Sequence, residues 1–324
     1  LSPRTKKAIS ISVKIAILIL AFAFIFHKLD DNQKIADFKQ LINQLPATEV
    51  YEVLFVVFFL MLLNWFLEAL KWMFLMRNIE ELKLGRAVES VFCGLTWAIF
   101  TPNRIGEYGG RVFFLAPRKR VQGIIAMAVG AIGQMTVTNV LGAWALLWFV
   151  GAFVPLNISL HYAIAFLVVG FCTFFLLFFF NIRWMLSLLN SIAFLKRFRK
   201  FFSIIARYRK NDLVKIFSFS LARFAVFTTQ YCLIIHLLLP DLAIFEIIMM
   251  VLILLFIQSA LPSLDLLDVG VRGMTATYFF GYITDQHVAI IAATTCIWLI
   301  NLIIPAIIGA PFVFKLNFFG TNRN

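Results

Sequence analysis

The sequence predicts an all-α, polytopic membrane protein, with about six full spans and two re-entrant helical hairpins in an inverted-topology repeat. Three observations predict it. Of the 324 residues, 62% are hydrophobic and 38 are Phe, more apolar surface than a soluble chain of this size can bury. Six apolar runs approach or exceed the length of a bilayer-crossing helix. The basic residues collect between those runs, as cytoplasmic links do.

The first run, 9–26, has no small-residue cleavage site after it and reads as a retained span. Arg4, Lys6 and Lys7 precede it and set the amino terminus in the cytoplasm. The link 27–50 then lies outside, its lysines balanced by Asp30, Asp31, Asp37 and Glu49. Span 51–76 returns and delivers Arg77, Lys83 and Arg86 inside. Residues 87–100 are apolar but amount to only about 21 Å of helix, short of the hydrocarbon core. With a break at Pro102 they read as the first arm of a hairpin over 87–118 that leaves on the side it entered. Arg118, Lys119 and Arg120 are then inside.

Span 121–150 exits through an uncharged link, and span 158–182 returns to the most basic stretch of the chain, 183–215, where Asp212 is the single acid. Span 213–239 exits to Pro240 and Asp241. A second hairpin over 243–283, broken at Pro262, enters from outside, and span 287–314 brings Lys315 and Arg323 inside. Both termini are cytoplasmic in this topology. The order span, span, hairpin, span recurs with opposite orientation, giving repeats at 1–152 and 153–324. Within the basic segment 183–212, "SIAFLKRFRKFFSIIARYRK" (191–210) interleaves aromatic and aliphatic residues with cations. That composition predicts a helix lying on the anionic lipids of the inner leaflet.

Chemistry concentrates at the two breaks. "TPNRIGEYGGRVFF" (101–114) carries Pro102 and Gly106 as helix breakers, with Arg104, Glu107 and Arg111 around them. "QSALPSLDLLDVGVRG" (258–273) carries Pro262 and Gly270, with Asp265, Asp268 and Arg272. In each, an acid and an arginine sit four apart and meet on one helical face. Broken backbone at membrane depth is tolerated where it is packed in protein or lines a watery cavity, and a charge there needs a partner. The arrangement predicts a midplane cavity whose arginines attract an anionic head group, because the guanidinium fork matches phosphate oxygens. A purely structural role, with the ion pairs holding the hairpins, is the alternative. Asn64 and Glu68 share a face of the second span, with Lys71 one turn on and able to neutralise Glu68. Glu68 and Arg223 are the candidates from within spans. Gln134, Thr138, Asn139, Gln230 and Asn301 read as interhelical hydrogen-bonding residues.

Other classes are excluded. The net charge of +13 is distributed by the positive-inside pattern, so it argues for a membrane and against a nucleic-acid partner. Cys93, Cys172, Cys232 and Cys296 lie scattered in apolar runs and read as buried hydrophobes. The four histidines are equally scattered, so no metal is expected. No P-loop, nucleophile elbow or zinc-protease motif occurs. Neither a catalytic residue nor a cofactor is therefore expected, and the protein reads as a non-enzyme. The sequence sets no oligomeric state.

The first block, Pro102, Arg104, Gly106, Glu107 and Arg111, resembles the signature of the lysylphosphatidylglycerol synthetase transmembrane-domain family. These are flippase-like membrane proteins that include the membrane half of the multiple peptide resistance factor. Pro262, Gly270, Val271 and Arg272 resemble its second block, with Leu266, Leu267 and Gly273 where the family tends to have a glycine pair and a glutamate. Uncharged Gln134 stands where that family has a charged pair, and Asn301 lies near the place of an arginine. The resemblance implies movement of a lipid between leaflets. In the resistance factor that lipid is an aminoacylated phosphatidylglycerol made by a fused soluble synthase, which has no counterpart in these 324 residues. The expected partner is a membrane lipid with a polar, anionic or phosphate-bearing head group, in the cytoplasmic membrane of a bacterium or archaeon. An integral-membrane transferase acting on a lipid-linked substrate, and a non-transporting scaffold for a lipid-modifying enzyme, remain as alternatives.

Overall fold

A computed structural model describes residues 3–30, 45–101, 104–184, 187, 191, 202–260 and 265–316. The described residues are mostly helical, with no strand among them. In chain order the helices are α1 (Pro3–Asp30), α2 (Ala47–Met76), α3 (Leu84–Ala98), α4 (Ile105–Val112), α5 (Arg120–Phe153), α6 (Ile158–Phe180), α7 (Lys210–Leu238), α8 (Ile244–Ala260), α9 (Asp265–Phe280), α10 (His287–Trp298) and α11 (Ile304–Gly309). A π-turn at Leu299–Ile303 joins α10 to α11, so His287–Lys315 is one rod. With α2, α5, α6 and α7 it gives five helices long and apolar enough to cross a bilayer. The first predicted span is a helix too, although its described apolar stretch, Ile9–Leu20, is shorter.

α3 and α4 fold back on one another, as do α8 and α9. The α3–α4 contact is backbone to backbone: a Cβ on Gly110 would overlap the Cα of Gly94. Thr101 bridges the break. Its hydroxyl donates to the Trp97 carbonyl at 3.0 Å and accepts the Gly106 N–H at 2.8 Å, so these two backbone groups flanking the interruption stay satisfied.

The two ends of the bundle differ. Arg86 donates to the Phe114 carbonyl at 2.6 Å, joining the start of α3 to the exit of α4. Lys119 donates to the Ile79 carbonyl at 2.6 Å, Arg207 to that of Asn78 at 3.0 Å, and Arg77 pairs with Asp212. Tyr208 is buried there and donates to the Leu75 carbonyl at 2.8 Å. This end is basic. The opposite end is aromatic: Trp148 meets Phe245 at the start of α8, and Phe149 meets Tyr282 after α9, with ring centroids 5.5 and 4.8 Å apart. The first helix pair therefore begins and ends at the basic end, the second at the aromatic end. α2 and α7 pack together at the centre, around Trp72, Tyr231 and Ile234. α6 lies outermost; Phe166 is 78% exposed, the expected state of a lipid-facing side chain. Of the predicted interfacial segment 191–210, residues 192–201 lie outside the described residues.

Candidate functional site

Glu68 lies on α2 one turn beyond Asn64, and cations from three helices share its carboxylate. Lys71 of its own helix brings Nζ to 2.8 Å. Arg111 of α4 donates from Nη1 to Oε1 at 2.6 Å. Arg223 of α7 donates from Nη1 to Oε2, and from Nε to the Asn64 side-chain oxygen at 3.0 Å. Arg111 also pairs with Glu107, the i, i+4 couple predicted from sequence. Arg104 Nη2 completes the chain at 3.3 Å from Glu107. Four cations thus share two carboxylates.

Depth varies along this chain of charges. Arg111 is 2% exposed, whereas the Arg104 side chain is 36% exposed. Arg104 caps α4 with φ 55°, the single non-glycine residue of positive φ among those described. That conformation costs roughly 1–2 kcal/mol for an L-residue. It carries the guanidinium to the rim, 5.8 Å from the Trp65 ring; Arg223 approaches the same ring at 5.3 Å. Burying ions costs several kcal/mol each unless they are paired and hydrogen-bonded, and the shared carboxylates supply that pairing. The compensation is incomplete. Nε of Arg104 and of Arg111, and Nε1 of Trp65 and of Trp298, are buried with no acceptor among the described residues, at about 1–3 kcal/mol apiece.

The network forms one wall of a cavity of about 600 Å³, a volume typical of small-molecule sites. All six described charged candidates line it: Glu68, Arg104, Glu107, Arg111, Arg223 and Arg272. Arg272 comes from α9, so both helix pairs reach this space. Gln134 and Thr138 of α5 and Ser259 of α8 line the facing wall. Met135, near the midpoint of α5, also lines the cavity and is 46% exposed, and Ser259 is exposed. The cavity is therefore open rather than sealed, with an exposed lining residue partway along a long helix. Among the described residues no three His, Cys, Asp or Glu side chains converge as metal ligands would.

Pro102 and Pro262 lie outside the described residues. Asp265, Asp268 and Gly270 fall in the first turns of α9, and the side chains there lie outside the description as well. Gly106 sits where predicted; a Cβ there would overlap the Trp97 carbonyl.

Three residues differ from their sequence reading. Gln134 does bond between helices, donating to the Ser220 carbonyl at 3.4 Å, but it also lines the cavity. Thr138 and Asn301 donate to carbonyls of their own helices, Gln134 and Ile297, and face the same space. A signal for Asn301 was present four residues on. Pro305 has no N–H to return to that turn, and the helix widens into the π-turn that contains Asn301. Trp65 and Tyr108 also line the cavity, and nothing in the sequence set them apart from other buried aromatics.

No curated protein and no solved structure matches the chain. A family model does, the one described as the lysylphosphatidylglycerol synthase TM region. Its match runs over residues 10–309, across both helix pairs and every charged residue of the cavity, and on that extent the chain belongs to this family of membrane proteins.

Proposed function

We propose that this protein is a flippase-like lipid transporter of the cytoplasmic membrane. In this reading a lipid with a polar, phosphate-bearing head group crosses between leaflets through the charged cavity while its acyl chains stay in the bilayer. One observation carries the reading: an open cavity walled by ion-paired arginines has Met135, exposed near the midpoint of a long helix, in its lining. A head group can enter there from the side without its chains leaving the hydrocarbon. Arg104, Arg111, Arg223 and Arg272 offer the planar forks that suit phosphate. The protein is not an enzyme in this reading, because Glu68 and Glu107 are both engaged by cations and neither is left as a general base.

Alternating access through inverted repeats with two re-entrant hairpins belongs to the same proposal. Its support is a matched register. Leu84 and Ile244 open the two helix pairs, and Pro102 and Pro262, Glu107 and Asp268, and Arg111 and Arg272 follow at a shift of about 160 residues. The halves also exchange partners. α11, ending the second half, packs on α3 of the first; α5, ending the first, packs on α8 of the second. Each crossing turns on a glycine: a Cβ on Gly309 would overlap the Phe92 carbonyl, and one on Gly142 would overlap Phe256. The basic end, with Arg207, then faces the anionic inner leaflet, the composition of segment 191–210 suits the same lipids, and both termini are cytoplasmic.

The test is leaflet movement of labelled lipids in proteoliposomes, comparing wild type with Arg111→Ala and Arg272→Ala. Wild type is expected to move at least one phosphate-bearing lipid faster than empty vesicles, and both variants to slow it. Rates equal to empty vesicles across lipids and ion gradients would remove the transport reading. Wild-type rates in folded variants would remove the site.

A further inference from the structure

Among the described residues, the ion-paired network of the cavity wall carries more positive charge than it neutralises. Lys71, Arg104, Arg111 and Arg223 share only Glu68 and Glu107, an excess of two positive charges in one connected network. Arg272 lines the same space and stands outside this count. Glu68 already serves three cations and Glu107 two, so among the described residues no cavity carboxylate is left for an ammonium group. Arg111, almost wholly buried, still has an Nε–H without an acceptor among the described residues, as do the indoles of Trp65 and Trp298. Excess buried charge of one sign is costly and is relieved by a counter-charge. Idle donors favour a ligand with several oxygens.

We infer that the cavity selects a phosphate group bearing two negative charges, a phosphomonoester or a diphosphate, over a phosphodiester with one charge and over any head group carrying an amine. This rests on the transport reading for the location of the site and adds the substrate class. A phosphomonoester carries close to two charges at neutral pH, which matches the excess. A phosphodiester leaves one positive charge uncompensated. An aminoacylated head group brings a cation to a wall that already has too many.

The experiment uses the full chain in phosphatidylcholine nanodiscs doped with one test lipid at a time, bound lipid being counted by native mass spectrometry. The probes are phosphatidic acid, a prenyl diphosphate, phosphatidylglycerol and lysyl-phosphatidylglycerol. Phosphatidic acid and the prenyl diphosphate are expected to bind at least about tenfold more tightly than phosphatidylglycerol, with lysyl-phosphatidylglycerol weakest. Arg223→Gln is expected to cut that preference sharply. Arg104→Gln lies at the half-exposed rim, outside the Glu68 cluster, and keeps the test valid if Arg223→Gln does not fold. Equal binding of phosphatidylglycerol, preference for the lysyl lipid, or an unchanged preference in folded Arg104→Gln would each overturn the inference. Displacement of phosphatidic acid by an equal concentration of inorganic pyrophosphate would uphold the charge rule and assign it to a soluble anion. Transport without preference removes this inference and leaves the transporter. Tight dianion binding without leaflet movement does the reverse.

Discussion

At residue scale the molecule turns on Glu68. Replacing it with Gln leaves Lys71, Arg111 and Arg223 buried around a neutral group, and breaking a buried ion pair from one side costs about 3–5 kcal/mol. Glu68→Gln should therefore lower the melting temperature in detergent markedly. Adding Lys71→Met, which removes one orphaned cation, should recover part of the loss, and additivity of the two changes would argue against direct coupling. Arg104→Gly should behave differently. It relieves the left-handed strain at φ 55° and removes a rim cation, so stability should hold or rise by about 1 kcal/mol while binding of phosphate-bearing lipids falls. Much of this constellation was legible in the sequence. Glutamates and arginines in greasy helices are rare enough to stand out, and the i, i+4 spacing identified the Glu107–Arg111 couple. What was hidden is the sharing. That Arg111 reaches Glu68 depends on how α4 docks against α2, and no local spacing encodes it.

At the scale of elements, the short apolar runs ending in Pro102 and Pro262 were enough to predict two interrupted helix pairs, and both pairs are present. Their docking was not legible. Gly142 and Gly309 look like any glycine in an apolar helix until their neighbours are known, and those neighbours lie far along the chain. The prediction here is steric. Gly142→Leu and Gly309→Leu should each destabilise the fold, because the added side chain meets Phe256 or the Phe92 backbone. Gly170→Ala, on outermost α6 with nothing within 4 Å of the added Cβ, should melt like wild type or slightly above it. Thermal unfolding monitored by fluorescence-detected size exclusion measures all three. The π-turn at Leu299–Ile303 was equally invisible from periodicity, although Pro305 marked the spot.

At the scale of the whole molecule, charge and aromatic residues divide the bundle into two unlike ends, and this division tests the topology. In the membrane, a single cysteine near Arg118 should label from the basic face and one near Thr284 from the aromatic face, with an impermeant maleimide applied from each side. The native thiols interfere little, since Cys93, Cys172 and Cys296 are buried and Cys232 is half-buried. Labelling of both positions from one side would contradict the opposed hairpins. The expectation comes from the positive-inside pattern, because charge asymmetry is written along the chain.

The exchange of helices between the halves has a mechanical result. α11 grips α3 and α5 grips α8, so neither half can tilt without dragging a piece of the other along. In the proposed transport reading, opening toward one leaflet is then geared to closing toward the opposite one, much as a seesaw has no way to lift both seats. A wedge driven into either crossing should jam the two gates together.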